Sequence, residues 1–386
     1  MRITGIDTYV VGNPWKNWVF AVVNTDEGVS GLGEGTLNGF GRTVEAAIHE
    51  LEPLVLGRSP FDIADIAMHL WRDVYSDGGQ IHGSALAAIE LALWDIVGKV
   101  AGKPLYQLWG GRSHDTLRAY ANGWYRGGRT PEAIAEDART VVGRGYTALK
   151  FDPFGASWRV VDRDEMALAL ALIEAVRDAV GPRVDILIEG HNRFTVATAL
   201  QFADRMAQFS PTWFEAPVPP QRIASTVEVA RRSPVPIAVG EDYYCREQFA
   251  ELLQYDAVHI VQLEPQFLGM TAARDVSGMV AAHNGVIAPH SAQGPVCSLA
   301  CAHLNLATPH FFLHEMFDEF NEPWEQRLLT HPLQVEDGHV VPSDRPGLGA
   351  ELVVEEALRH PYRPQNFLPL FRSGWERRLG DTAGNG

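Results

Sequence analysis

From residue 117 onward, the chain repeats one pattern in which a short apolar run is followed by a helical stretch of about 10 to 18 residues. Eight such runs strongly constrain the fold, because eight strand–helix units of this length predict an α/β protein built on a closed (β/α) TIM barrel. The alternative, an open doubly wound sheet, expects a glycine-rich phosphate loop after its first strand, and the sequence there, ANGWYRGGRTPE, lacks that spacing. The runs are LRAYANG, YTALKFD, VDILIEG, TWFEAP, PIAVGED, AVHIVQLEP, GVIAPH and FFLHE.

Three consecutive runs carry a glutamate at or near their ends. Glu189, Glu215 and Glu241 follow one another at equal intervals of 26 residues. In a barrel the carboxyl ends of neighbouring strands meet at one rim, so the three side chains are expected side by side. Like charges in such a group repel, and a hard divalent cation such as Mg²⁺ relieves the repulsion. The alternative is three separate solvated loop carboxylates, which the equal spacing disfavours.

The third run adds a histidine to this rim, in the sequence VDILIEGHNRF. Side chains at positions i and i+2 of an extended chain point to the same side, so His191 is predicted to share the space of Glu189. The alternative is that the polar residues only mark where the strand reaches water.

Length and charge narrow the class of protein. The 386 residues exceed one usual core, so two domains are expected. The net charge of −16, with no cluster of Lys or Arg, argues against a nucleic-acid partner. No stretch approaches 18 consecutive apolar residues, so no membrane span is expected. The three cysteines lack metal-ligand spacing and predict reduced thiols in a cytoplasmic protein.

The clearest helix before residue 117 covers residues 84–102, with an Asp95–Lys99 pair and Gly102 as its end.

With these motifs in place, nearly the whole chain resembles the enolase superfamily and its mandelate racemase subgroup. The carrying stretches are LALWDIVGKVAGKPLYQLWGG, the three glutamates, and RPGLGAE near the end. The resemblance implies an α+β capping domain at residues 1–116, a modified barrel at 117–320, and a segment at 321–386 that returns to the cap and ends in a disordered tail. The stretches YANGWY, ALKFDPFG and VDILIEGHNRF look most like the sugar-acid dehydratases of this subgroup, above all those that act on D-gluconate.

The resemblance also implies roles for single residues. Glu189, Glu215 and Glu241 would hold Mg²⁺. His290, in IAPHSAQG, would be the base that removes the C2 proton, with Glu264 fixing its tautomer. A dehydratase also needs an acid that a racemase does not, and His191 would protonate the departing hydroxyl group; the alternative is that it only hydrogen-bonds Glu189 or a substrate hydroxyl. Glu315 would bind the substrate carboxylate, which requires a proton on or shared with its own carboxyl group, and Lys150 would add positive charge there.

Two positions depart from the subgroup. Racemases and cycloisomerases end their second strand Lys-x-Lys, whereas here LKFD places Asp152 where the second Lys would be. Asp152 is expected to turn the loop or to hold Lys150. On the sixth strand Glu264 stands where the family usually has Asp.

These features predict an enzyme, a lyase that dehydrates an aldonic acid such as gluconate to a 2-keto-3-deoxy acid through an enediolate. One alternative is a racemase or epimerase acting at C2 of an α-hydroxy acid, although the missing second Lys disfavours it. Another is a non-catalytic binding barrel. The predicted partners are a small sugar acid and, as the family implies, further copies of the chain. In the cap loops, Trp15 would exclude water, while Lys16, Gln80 and His82 would contact substrate hydroxyls. These loops offer no pair of arginines for a second carboxylate.

Overall fold

The predicted barrel is present in the computed structural model, which describes residues 1–126 and 128–376. Its strands are parallel, and neighbouring strands follow the chain order from β4 to β10. The ring closes because β11 pairs with β4 and Ile287 bridges Phe311 just before β11. The strands are β4 (Leu117–Ala121), β5 (Ala148–Phe151), β6 (Asp185–Glu189), β7 (Trp213–Glu215), β8 (Ile237–Val239), β9 (Ile260–Val261), β10 (Val286–Ile287) and β11 (His314–Met316).

One helix follows each of the first seven barrel strands, and local sequence sets where these helices begin and end. The α6 helix is typical: the Asp162 side chain accepts a hydrogen bond from the Glu165 backbone at its start, and Gly181 ends it with φ of 75°. After β11 the chain forms two short 3₁₀ turns, Asp318–Phe320 and Pro323–Arg327. The helices are α5 (Pro131–Gly143), α6 (Arg163–Val180), α7 (Val196–Met206), α8 (Ile223–Arg232), α9 (Arg246–Leu253), α10 (Pro265–Ala282) and α11 (Pro295–Leu306).

A layer of side chains fills the barrel interior, with one residue from each strand or its immediate end. Large and small side chains are mixed around the ring, so that aromatic rings fit against alanines. Trp213 is fully buried in this layer, and its indole Nε1 donates a hydrogen bond to Glu215 at 2.9 Å. The packed interior therefore supports the rim directly. The layer consists of Tyr120, Ala148, Leu187, Trp213, Ala238, Ile260, Ala288 and Leu313.

The N-terminal region forms a separate antiparallel sheet covered by helices. The long helix α3 packs closely on β3, where a Cβ atom added at Gly33 would lie 1.9 Å from the Ala88 carbonyl oxygen. Glycine is therefore required there by the close approach of the two backbones. The elements are β1 (Ile3–Gly12), β2 (Asn17–Thr25), β3 (Ser30–Glu34), α1 (Gly41–Leu51), α2 (Ile63–Arg72), α3 (Gly79–Ala101) and the short α4 (Leu105–Leu108).

The helix predicted at residues 84–102 is α3, and the structure extends it at its N-terminal end. Gly102 ends the helix in the left-handed conformation, and Lys99 lies 2.7 Å from Asp95, as predicted. The helix begins at Gly79 because its first turn is anchored from outside: His82 hydrogen-bonds the Leu70 carbonyl oxygen of α2 at 2.8 Å. Nothing in the apolar period of the sequence signals that anchor.

The C-terminal segment contacts both parts of the chain. A hairpin of β12 (Gln334–Glu336) and β13 (His339–Val341) adds to the barrel by antiparallel pairing of β13 with β4. Helix α12 (Val354–Arg359) then packs against β1 of the cap, and the Gly12 amide donates to the His360 carbonyl oxygen at 2.8 Å. The segment thus links cap and barrel. The tail GDTAGNG, residues 380–386, which is predicted to be disordered, lies outside the described residues.

Candidate active site and metal centre

The three glutamates meet at the carboxyl ends of neighbouring barrel strands. Glu189 and Glu215 end β6 and β7 and are paired directly opposite one another, while Glu241 lies two residues beyond β8. One carboxylate oxygen from each lies within 4.8 Å of the other two. Oxygens bound octahedrally at about 2.1 Å are about 3 to 4 Å apart, so this group fits one shared Mg²⁺ ion. All three side chains offer hard oxygen donors, as that ion requires.

Burial makes it unfavourable for all three glutamates to be ionised at once. Burial and the Glu189 carboxylate raise the pKa of Glu215 to about 8, against the lowering effect of Lys150. Burial also raises the pKa of Glu241 well above its usual value, and Glu189 adds to the increase. At Glu189 burial is outweighed by Lys150 and His191, and the pKa falls. Three acids that cannot all ionise without help indicate a place for a cation.

Lys150 supplies one positive charge from the end of β5. Its Nζ atom lies 2.5 Å from Glu215, 3.0 Å from Glu189 and 2.9 Å from Glu315. The side chain is 1 % exposed. Burial alone would lower the pKa of Lys150, but the surrounding carboxylates Glu215 and Glu315 outweigh it, and the pKa rises well above its usual value. Lys150 is therefore a fixed ammonium group that links two predicted metal ligands to the predicted carboxylate-binding residue.

His290 forms a dyad with Glu264 at the same rim. Its Nδ1 atom lies 2.5 Å from Glu264, and its Nε2 atom lies 3.7 Å from Glu241. A carboxylate at Nδ1 favours the proton on that nitrogen, which leaves the Nε2 lone pair directed toward the carboxylate group. Burial opposes the charged imidazolium, but Glu315 and Glu264 outweigh it and raise the pKa of His290. The geometry fits the predicted role of His290, and Glu264 reaches its Nδ1 atom in spite of one methylene more than Asp.

His191 forms a second dyad, with Asp152. Its Nδ1 atom lies 2.7 Å from the Asp152 carboxylate, which also binds the guanidinium group of the fully buried Arg193. Asp152 accepts a further hydrogen bond from the Phe154 amide at 2.8 Å, so it does turn the loop as predicted. The alternative expectation, that Asp152 holds Lys150, is wrong. One Asp152 carboxylate oxygen binds His191 and Arg193, and the other accepts from the Phe154 amide.

The path by which His191 reaches the rim differs from the prediction. The strand ends at Glu189, and His191 and Asn192 adopt φ values of 45° and 57°, so the alternation of an extended chain does not apply. The chain instead turns back over the strand end, and the His191 amide donates to the Glu189 carboxylate at 2.9 Å. The two residues do lie together, for a different reason than the one that predicted it.

Glu315, at the centre of β11, is held by three donors. Asn122 Nδ2 lies 2.8 Å and the Ser291 amide 2.7 Å from its carboxylate oxygens, in addition to Lys150. Burial would raise the pKa of Glu315, but Lys150 and His290 outweigh it and lower the pKa to about 2. The proton expected on or shared with this carboxyl group beside a bound substrate stays a prediction. Glu315 is an ionised partner of Lys150.

Three of the four predicted cap residues reach the boundary with the barrel. Lys16 Nζ donates to the Ala292 carbonyl oxygen at 2.7 Å and to Gln293, two and three residues after His290. Burial lowers the pKa of Lys16, against the raising effect of Glu264 and Glu34. Gln80 donates to the Asp242 carbonyl oxygen at 3.1 Å, next to Glu241. Trp15 packs against Phe317 with ring centroids 4.8 Å apart.

The prediction for the fourth cap residue, that His82 contacts substrate hydroxyls, is wrong. His82 is 7 % exposed and lies inside the cap, where its Nε2 is engaged by the Leu70 carbonyl oxygen and its ring stacks on Trp71. It joins two cap helices instead of facing a substrate. The sequence placed it in a loop because the first turn of α3, with glycines at 79 and 83, lacks a helical signal.

Two residues that contact the site, Arg193 and Asp242, were not predicted from the sequence. Arg193 bridges Asp152 to the loop carbonyls of Gly155 and Gly190. Asp242 accepts hydrogen bonds from Asn192 and Gln80 and so joins three loops at the rim. An acidic residue directly after Glu241 was visible in VGED, but its role depends on loops distant in sequence.

Comparison with known proteins identifies the family. Residues 133–357 match the family described as "Enolase C-terminal domain-like", which is more than half of the chain. Residues 10–110 match the "Mandelate racemase / muconate lactonizing enzyme, N-terminal domain". The chain belongs to the enolase superfamily. Its members are enzymes, and the superfamily typically binds Mg²⁺.

Curated relatives within the superfamily are sugar-acid dehydratases. The chain is 30% identical to the D-gluconate/D-galactonate dehydratase of Picrophilus torridus over 90% of this chain and 91% of that protein. It is 31% identical to the D-galactonate dehydratase of Verminephrobacter eiseniae, covering 93% of each. Identity to the D-gluconate dehydratase of Thermoproteus tenax is 33%, over 91% of this chain and 71% of that one.

Solved structures agree with the barrel and cap. A mandelate racemase/muconate lactonizing enzyme from Jannaschia sp. CCS1 superimposes with a TM-score of 0.88 at 29% identity, covering 94% of this chain and 98% of that one. A member of the enolase superfamily from Salmonella Typhimurium gives 0.88 at 27% identity, covering 93% and 98%. The fold is therefore the modified barrel with an α+β cap. Within the described residues, no helix is both long and apolar enough to cross a membrane.

Proposed function

We propose that this protein is a Mg²⁺-dependent hydro-lyase that removes water from an aldonic acid such as gluconate and yields a 2-keto-3-deoxy acid. One observation carries the proposal: two histidine–carboxylate dyads flank a buried group of three carboxylates. His290 Nε2 lies 3.7 Å from Glu241, and the His191 amide lies 2.9 Å from Glu189. A dehydration across C2 and C3 needs one base and one acid, and each dyad can supply one of them.

The first step belongs to His290. When bound by Glu189, Glu215 and Glu241, Mg²⁺ would neutralise the charge that develops on the substrate carboxylate as the C2 proton leaves. His290 would take that proton at Nε2, while Glu264 stabilises the imidazolium through Nδ1. Lys150, fixed beside Glu315, would add a second positive charge at the same carboxylate.

The second step belongs to His191. The C3–oxygen bond breaks as the electron pair of the enediolate forms the C2–C3 double bond. His191 would give a proton to the departing hydroxide, which leaves as water, and the enol would tautomerise to the 2-keto-3-deoxy acid. Hydroxide is a poor leaving group at neutral pH, and a positioned acid typically contributes about 10² to 10⁴ in rate. The Asp152–Arg193 pair would orient this acid.

A racemase acting at C2 fits the site less well. Racemases of the subgroup use a Lys at the position of Asp152 as a base on one face. Here the Asp152 carboxylate is committed to His191, Arg193 and the Phe154 amide. A non-catalytic barrel fits less well still, because such a chain has no need of two dyads beside three carboxylates.

The deciding experiment is an assay of the purified chain with matched aldonic and aldaric acids, with and without Mg²⁺. We expect a 2-keto-3-deoxy acid from an aldonic acid only when Mg²⁺ is present. Turnover undiminished in excess chelator would contradict the metal assignment. Interconversion of C2 epimers without loss of water would favour the racemase.

A further inference from the structure

Residues 371–376 are the last ones that the structure describes, and they pack on His191 and Arg193, the two side chains that bind Asp152. Trp375 is 3 % exposed, and its ring meets the His191 imidazole edge to face with centroids 5.7 Å apart. Phe371 lies over the Arg193 guanidinium group, which is 5.0 Å from the ring centroid. One aromatic ring of this segment therefore covers each of the two side chains that bind Asp152.

The segment is also tied to the same loop as Arg193. The Trp375 indole donates to the Gly155 carbonyl oxygen at 3.2 Å, and Arg193 donates to that same oxygen at 2.8 Å. Trp375 contacts Tyr125 edge to face as well, with centroids 6.4 Å apart. Displacing the indole would therefore disturb a carbonyl group that positions Arg193.

The backbone of the segment is shaped to present these two rings. Phe371 adopts φ of 73°, which is uncommon for a residue other than glycine, and Gly374 adopts 77°. The Trp375 amide donates to the Arg372 carbonyl oxygen at 3.2 Å, which closes a turn. Arg372, Ser373 and Gly374 between the rings are exposed. The chain thus turns outward and returns to bury Trp375 against His191.

We propose that Phe371 and Trp375 are positioning residues of the active site. They hold the His191 imidazole and its Asp152–Arg193 support in the orientation that protonates the leaving hydroxyl group. This inference rests on the proposed function, in which His191 is the acid. The base is held by a different carboxylate, Glu264, at 2.5 Å. Loss of the segment's rings should therefore impair the acid step and spare proton removal at C2.

The test uses the full chain with Trp375→Ala and Trp375→Phe, assayed on D-gluconate with Mg²⁺. Dehydration and exchange of the C2 proton with solvent deuterium are measured side by side. We expect Trp375→Ala to lower kcat for dehydration at least tenfold while exchange changes less than twofold. Trp375→Phe keeps a ring against His191 and should lose less. Trp109→Phe is the control for Trp375→Phe, since Trp109 is also buried but packs on Trp94, 5.5 Å away, and should change neither rate.

A double-mutant cycle tests whether Trp375 acts through His191. In a His191→Asn background, Trp375→Ala should add no further loss of dehydration. Independent losses in the cycle, equal losses of exchange and dehydration in Trp375→Ala, or unchanged dehydration would each overturn the inference. If Trp375→Ala does not fold, the same split is expected of Phe371→Leu, which removes the ring over Arg193.

A second readout separates this inference from the proposed function. Carbethoxylation of single histidines by diethyl pyrocarbonate, followed by peptide mass spectrometry, requires no turnover. Trp375→Ala should raise the modification rate of His191 several-fold relative to that of His290, because the covering ring is gone. A chain that never dehydrates an aldonic acid contradicts the proposed function. Unchanged modification of His191 contradicts the positioning role, whatever the activity.

Discussion

The Nδ1 atom of His191 lies 2.7 Å from the carboxylate of Asp152. The same carboxylate binds the buried guanidinium group of Arg193. Asp152 therefore joins the His191 imidazole to a buried guanidinium group. His191 and His290 are thereby held in the same way, each by a carboxylate at Nδ1.

This support can be tested by Asp152→Asn. The amide cannot stabilise an imidazolium as a carboxylate does, and it leaves Arg193 buried without its counter-charge. We expect dehydration to fall about 10- to 100-fold, with C2 exchange largely retained. Loss of one partner of a buried ion pair costs about 3–5 kcal/mol, so thermal unfolding must be measured in parallel. Wild-type dehydration in a stable Asp152→Asn protein would exclude the supporting role.

The division of labour between the two histidines predicts different mutant phenotypes. His290→Asn should abolish both dehydration and exchange of the C2 proton with solvent deuterium, since no base remains at Nε2. His191→Asn should lower dehydration about 10² to 10⁴-fold and still permit exchange, because the enediolate can form and collapse. Exchange is followed by NMR in D₂O. If both variants lose exchange to the same extent, the two roles cannot be separate.

The metal assignment predicts a loss of binding that is independent of turnover. Glu241→Gln removes one anionic oxygen from the group, so titration calorimetry should show Mg²⁺ binding weakened at least tenfold. The control is Glu247→Gln, at a carboxylate on helix α9 six residues further along the chain. Mg²⁺ affinity equal to that of the wild type in Glu241→Gln would show that this carboxylate does not bind the ion.

The sequence was sufficient for the parts of the site that strand ends define. Equal spacing of Glu189, Glu215 and Glu241 reflects equal strand–helix units, and the barrel brings such positions together whatever the loops do. The contact of Asp152 with His191 could not be predicted. Its other partner, Arg193, lies in the loop of the next strand–helix unit, and the geometry depends on the left-handed residues His191 and Asn192 and on the C-terminal segment. His82 was misplaced for a similar reason, since its partner is a carbonyl group of another helix.

Buried neutral histidines away from the metal group predict how stability depends on pH. Burial lowers the pKa of His303 to about 4, against a hydrogen bond with the Leu348 carbonyl oxygen. Below the usual histidine pKa of about 6.5, the unfolded chain binds a proton that the folded chain refuses, so stability falls as the pH drops from about 6.5 toward 4. The loss from this group approaches about 3 kcal/mol. His303→Gln should reduce the slope of unfolding free energy against pH in this window. A slope unchanged by the substitution would mean that His303 titrates normally.

The cap contacts predict the choice of substrate. Lys16 and Gln80 are the two polar residues among the predicted cap residues that reach the boundary with the barrel, one beside the His290 loop and the other at Asp242. They offer one cation and one amide, which suit the hydroxyl groups of a polyol chain better than a second carboxylate, for which a bidentate arginine would be favoured. We therefore expect five- or six-carbon aldonic acids to be turned over with higher kcat/KM than the matching aldaric acids.

The variant Gln80→Leu should reduce this preference for aldonic acids by raising KM, at a cost of about 1–3 kcal/mol for an unpaired polar group. His82→Gln, at the cap residue that faces away, is the control and should leave the ratio unchanged. A higher kcat/KM for the aldaric acids would overturn the assignment.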